Sequence, residues 1–197
     1  MELTKQAIKD LRRSLEEWRT PAEMQAICAE LRERVGGLTV FTKGGLTFIT
    51  EAIVAGDFGA ARAARFVRLI PEFEQRPDFE LDFDGQVERF EMVQADKEGR
   101  RRGDEYAANA QLPRGTVIHL DPPLPEEVLE MVRTAAGKKA KPYPPQTQLM
   151  IYLEAGRYAS DDELLPRFAE AVSDARPFFS AIWILWQAHP YEIGPAT

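Results

Sequence analysis

Two stretches near the C-terminal end constrain the fold more than any other feature. "QLMIYLEAG" (148–156) and "FFSAIWILWQA" (178–188) are apolar almost throughout. A strand with one wet face alternates apolar and polar residues, whereas a strand covered on both faces does not. Between them, "DDELLPRFAEAVSDA" has helical spacing, with Pro166 as its one awkward residue. Strand, helix and strand with doubly buried strands predict an α/β fold, a mixed central sheet flanked by helices. Trp183 and Trp186 lie three apart, so on a strand they point to opposite faces. Packing on both sides of the sheet is the simpler reading of these rings. A base-stacking surface shared with Tyr143, Tyr152 and Tyr191 is the alternative.

The N-terminal part reads as two amphipathic helices. Ile8, Leu11, Leu15 and Trp18 recur at spacings of three and four, one apolar stripe between charged faces. Thr20-Pro21 restarts the chain, with Glu23 completing a capping box. Met24, Ile27, Leu31 and Val35 form the next stripe, and Gly36-Gly37 is expected to end it. These features predict a helical extension over 1–40 and an α/β core over 41–197. The extension is expected to pack on the chain's own core, with self-association or a protein partner as the alternative use.

The middle of the chain predicts a helix from Leu46 to Ala55, stopped at Gly56, with Asp57 capping a further helical run. "FVRLI" and "DFELDF" read as strands, and Asp84-Gly85 is a hairpin turn leading into "QVERFEMVQA". A helical turn or two over 102–111 and an edge strand at "GTVIHLD" (115–121) are expected next. "LPEEVLEMVRTAAGKK" predicts a helix, acidic at its start and carrying Lys138 and Lys139 at its end, where cations offset the helix dipole.

Composition narrows the function. The 197 residues include 25 basic and 32 acidic ones, a net charge of −7, which argues against a general nucleic-acid coat but leaves room for a local basic groove. The single cysteine, Cys28, excludes an internal disulfide and a thiolate zinc cage. No run approaches 18 uncharged apolar residues and no apolar leader opens the chain, so a cytoplasmic protein without a membrane partner is expected. The glycine-rich phosphate loops, the GxSxG elbow and the HExxH zinc motif are absent. His119 and His189 have no metal-ligand spacing.

Carboxylates remain. Asp78 and Glu91 are equidistant from the Asp84-Gly85 turn, so antiparallel pairing sets them across from each other. Two carboxylates so placed repel unless hydrogen-bonded, protonated or bridged by a hard cation. Mg²⁺ held by two carboxylates and waters is an arrangement that activates water against phosphodiesters.

The helix bearing Glu51, the short strand, "PDF" at Pro77-Asp78-Phe79, the hairpin, "FEMVQAD", and the helix and strand after it resemble the PD-(D/E)XK nuclease-like superfamily. That superfamily has an αβββαβ core and mostly cleaves or binds nucleic acid using Mg²⁺. The resemblance spans roughly residues 46–155. It implies that Asp78 and Glu91 bind metal, that Glu51 assists, and that DNA or RNA is the substrate. The usual lysine two positions after the (D/E) is Val93 here, which leaves Gln94 or Lys97 to position water. The basic knot at Arg100, Arg101 and Arg102 would grip phosphate, guanidinium forks matching its oxygens. A solvated turn is the plainer reading of that knot. The alternative function is a non-catalytic binding or assembly protein that keeps the fold. Carboxylates of Asp78 and Glu91 within about 5 Å of each other in an open cleft suit a metal site; a buried, salt-bridged Glu91, or two carboxylates on opposite sheet faces, sinks the nuclease reading and leaves the alternative.

Overall fold

The computed structural model describes residues 4–35, 46–71, 77–97, 123–155 and 161–195. Arg100 to Arg102, the expected turns at 102–111, the edge strand at 115–121 and the Gly36-Gly37 stop lie outside the described residues. The elements, in chain order, are α1 (Lys5–Leu15), α2 (Pro21–Val35), α3 (Thr47–Ala61), β1 (Phe66–Leu69), β2 (Phe79–Phe83), β3 (Gln86–Ala95), α4 (Pro125–Lys139), β4 (Thr147–Leu153), α5 (Asp161–Ala171), a 3₁₀ turn (Arg176–Phe178), β5 (Ile182–Trp186) and β6 (His189–Glu192).

The six strands lie in chain order across one sheet. Strands β1, β2 and β3 are antiparallel, β3, β4 and β5 are parallel, and β6 turns back antiparallel. Among the described residues, the elements from α3 to β4 are therefore helix, three antiparallel strands, helix and parallel strand. The α/β sandwich expected from the sequence is the fold observed.

Each face of the sheet carries its own core. Phe79, Leu81, Phe90, Met150 and Leu185 face a cluster built with Leu15, Met24, Cys28 and the buried side of α3. Ala95, Leu149, Ile151, Leu153, Ile184 and Trp186 face α4 and α5. Alternate residues of β4 and β5 thus enter opposite cores, which is why those strands read as continuously apolar. Trp183 packs on the first core and Trp186 lies in the second, as their spacing requires. On the first face, Phe79 and Phe90 stack at 5.0 Å, and Phe58 meets both edge-on.

The N-terminal helices belong to this packing. The capping box forms as read: Thr20 N–H donates to Glu23 Oε2 at 2.8 Å, and Glu23 N–H donates to Thr20 Oγ1 at 3.2 Å. Arg19 then pairs with Val67 through two backbone hydrogen bonds, which covers the outer edge of β1.

Three sequence expectations are corrected. Gly56 does not stop a helix, because α3 runs unbroken from Thr47 to Ala61. A Cβ at Gly56 would lie 3.3 Å from Gln25 Cγ and 3.4 Å from Met24 Cγ, so the glycine permits close approach of α2 rather than ending α3. Asp57 caps nothing; its Oδ1 accepts from Gln25 Nε2 at 2.7 Å, tying the same two helices together. Nor is β5 the last strand. Gln187 and Ala188 take positive φ values of 48° and 63° and return the chain into β6. Neither residue signals such a turn, and Pro190 conceals the strand; an edge position accommodates it.

Candidate functional site

The β2–β3 hairpin places the central pair. Asp84 and Gly85 both have positive φ, 54° and 95°, which matches the right-handed twist of the flanking strands. The register pairs Phe79 with Phe90. Asp78 therefore stands opposite Glu91, as the sequence spacing required. Its backbone is held from both sides: Ile70 N–H donates to Asp78 O at 3.0 Å, and Asp78 N–H donates to Phe90 O at 2.9 Å. Asp78 Oδ2 accepts from Met92 N–H at 2.7 Å, which fixes the carboxylate's rotation.

Glu91 is only 3% exposed. Its Oε1 accepts from Lys139 Nζ at 2.5 Å and from Tyr143 Oη at 3.2 Å. Its Oε2 is buried without a partner. Burying a carboxylate oxygen with no donor is costly; Arg12 Nε and Arg176 Nε are likewise buried without a partner.

Glu51, half-buried on α3, joins the same field. Burial first and the Asp78 charge second raise its pKa, opposed by Arg12 and Lys139; Glu91 adds a smaller upward push. Asp78 is likewise raised, by burial first and the Glu91 charge second. The Met92 N–H, Lys139 and Arg12 oppose that rise. The three acids expected at the site are thus gathered within mutual electrostatic reach. Among the described residues, however, no three His, Cys, Asp or Glu side chains stand in a group able to hold a metal ion.

Gln94 and Lys97 are not brought to this cluster. Gln94 is three residues beyond Glu91, on the other face of β3, in register with Tyr152. Lys97 Nζ donates to Glu127 Oε1 at 2.7 Å, in the first turn of α4. From there to Lys139 the helix rises about 18 Å. Lys97 therefore sits at the far end of α4 from Glu91.

Two cations that sequence reasoning did not assign to the site border it instead. Lys139, read as a helix-dipole residue, is turned inward. Arg12 comes from α1, where its Nη2 reaches Ile70 O at 3.5 Å and its guanidinium lies 5.7 Å from the Phe48 ring centroid. Arg12 Nε is 3.4 Å from Glu16 Oε1, outside hydrogen-bond geometry, and is buried without a hydrogen bond. The signal for Lys139 was its place at the end of the helix between β3 and β4. Nothing in the sequence tied Arg12 to residues so distant along the chain.

A buried, ion-paired Glu91 is the arrangement that the sequence reading set on the side of a non-catalytic protein. The pair occupies Glu91 Oε1 and leaves Oε2 buried without a hydrogen bond.

No protein-family model, no curated protein and no solved structure matches the chain. Among the described residues, no helix is long and apolar enough to cross a membrane.

Proposed function

We propose that this protein is a Mg²⁺-dependent phosphodiesterase of the PD-(D/E)XK nuclease-like type, acting on DNA or RNA. One observation carries the reading: Glu91, across the hairpin from Asp78, is held through one oxygen by Lys139 and Tyr143, and its other oxygen is buried without a hydrogen bond. Metal-ligating carboxylates are commonly held in this way, one oxygen on the cation and one on a supporting donor. The αβββαβ order of elements and the approach of Glu51 add support.

Asp78 and Glu91 would hold the cation, which supplies Lewis acidity and a more acidic bound water. The chain's own residues supply placement. Met92 N–H fixes Asp78, Lys139 and Tyr143 fix Glu91, and Glu51 adds negative charge that draws a cation inward. In the reaction, water adds to phosphorus and one P–O ester bond breaks. The attacking water loses a proton to solvent and the leaving oxygen gains one, so no oxidant or reductant is required.

The rival reading is a non-catalytic binding or assembly protein, and the Glu91–Lys139 pair is the observation on its side. Calorimetric titration with Mn²⁺, followed by cleavage assays on single- and double-stranded DNA and RNA, decides between them. The phosphodiesterase reading expects saturable binding and cleavage, both lost in Asp78→Ala. Absence of metal binding in the wild-type protein, or cleavage that survives Asp78→Ala, supports the rival.

A further inference from the structure

The two margins of the sheet are finished differently. Arg19 covers the outer edge of β1, whereas no described strand pairs with the outer edge of β6. Ile193 N–H donates to Ile182 O at 2.8 Å, and Tyr191 and His189 stand opposite Ile184 and Trp186. In an antiparallel pair such hydrogen-bonded positions alternate with positions whose backbone groups point away from the partner strand. Pro190 and Glu192 hold those outward positions. Proline has no N–H, so the edge presents the C=O of Pro190 and both the N–H and C=O of Glu192.

A cavity of about 470 Å³ lies beside this edge, between β6 and α5. Leu165, Pro166 and Ala169 form one wall, and Pro190, Tyr191 and Ile193 the other. Its volume is that of a small-ligand pocket, ample for one long side chain. Arg176 Nη2 holds the carbonyls of Ile193 and Gly194 at 2.6 and 2.7 Å, which fixes the chain where it leaves β6. Pro166 lies inside α5 and denies Asp162 O the donor that a helix supplies four residues on. Helix α5 carries Asp161, Asp162, Glu163 and Glu170 against Arg167 alone, and Arg167 is bound to Glu126 of α4. The walls are therefore apolar, and acceptors and negative charge surround them. A long apolar stem with a cationic head suits such a place, which is the chemistry of lysine and arginine.

We propose that β6 and α5 form a docking site for an extended basic segment of a partner protein. The segment pairs through its backbone with Pro190 and Glu192, as an added strand at the sheet margin, and seats a lysine or arginine side chain in the cavity. The site shares no residue with Glu51, Asp78 or Glu91 and is independent of the phosphodiesterase reading.

The test uses the full chain and a short labelled peptide of alternating valine and arginine, with an alternating valine–glutamate peptide as its counterpart. Fluorescence anisotropy should show saturable binding of the arginine peptide, at least about tenfold tighter than the glutamate peptide. Glu192→Pro removes an N–H that β5 does not use, and Ala169→Phe fills the cavity. Each should weaken binding about tenfold or more, with folding checked by circular dichroism. A further readout needs no variant: the Glu192 amide of the wild-type protein should exchange more slowly with deuterium when the arginine peptide is bound. No binding, equal affinity for the two peptides, unchanged affinity in either folded variant, or Glu192 exchange that bound peptide leaves unaltered overturns the docking site. A Glu192 amide protected by self-association of the chain without peptide assigns the edge to a second copy and overturns the partner-protein assignment.

Discussion

Glu80 and Glu91 are two buried glutamates on one hairpin, 2% and 3% exposed, and they are treated in opposite ways. Glu80, on β2, has both oxygens engaged. Oε2 accepts from Arg68 at 2.7 Å and Oε1 from Arg89 at 2.9 Å. Glu91, on β3, has one oxygen engaged and one bare, and it lies close enough to Asp78 and Glu51 to raise the pKa of each. Burial alone therefore does not distinguish the two carboxylates. The number of satisfied oxygens, and the sign of the neighbouring charges, does.

Glu88 sharpens the contrast. Its Oε2 receives Arg62 at 2.6 Å and Gln148 at 3.0 Å, and Gln148 in turn accepts from Trp183 Nε1. The Arg62 guanidinium lies 4.0 Å from the Trp183 ring centroid. This network joins α3 to three strands and carries no excess negative charge, as a structural device should.

The comparison is broken most directly through activity. Glu91→Gln should lower cleavage about 100-fold or more, the loss expected when a metal-ligating carboxylate becomes an amide. Glu80→Gln, measured per folded molecule, should leave cleavage within about threefold of wild type. Equal losses in the two variants would erase the distinction.

Stability should reverse the order. Arg68 is 30% exposed and Arg89 would still hold one oxygen of Glu80, so Arg68→Ala should lose about 2 kcal/mol in urea denaturation, the value of a hydrogen bond to a charged group. Glu91→Gln removes a carboxylate that repels two others and already lacks one partner, so its loss should stay below about 1 kcal/mol. A Glu91→Gln variant as unstable as Arg68→Ala would mark Glu91 as structural.

A smaller effect follows from pH. The pKa of Glu51 is raised in the folded state, mainly by burial and then by Asp78. A raised carboxyl pKa favours the fold while the group is protonated, and that contribution is lost as pH rises through the folded-state value. Glu51→Gln should therefore gain stability over wild type as pH rises from about 4 to about 7. Thermal unfolding at several pH values measures it, and a gap that shrinks with pH would contradict the assigned repulsion.

The least effect is expected at Cys28. Burial pushes its thiol up to about 12, so the folded protein should resist a thiol reagent at about pH 8 and react on unfolding. Rapid labelling of native protein would show that the α2–α3 packing opens readily.

By itself the sequence determined the sheet's doubly buried strands, the hairpin and the opposition of Asp78 to Glu91. Each follows from local periodicity or from counting across a turn, and neither needs a distant partner. The unbroken α3 was hidden because a glycine's local reading is a helix break; only the approach of α2 explains it. Strand β6 was hidden because its turn residues adopt positive φ without being glycine. Tertiary structure alone decided which cations meet the acids. Lys97 is near Glu91 in sequence yet is carried to the far end of α4, whereas Lys139 and Arg12 are remote along the chain and arrive from separate helices. Charge interactions act through space, falling with distance and rising with burial, and the order of residues along a chain specifies neither until the helices have docked on the sheet.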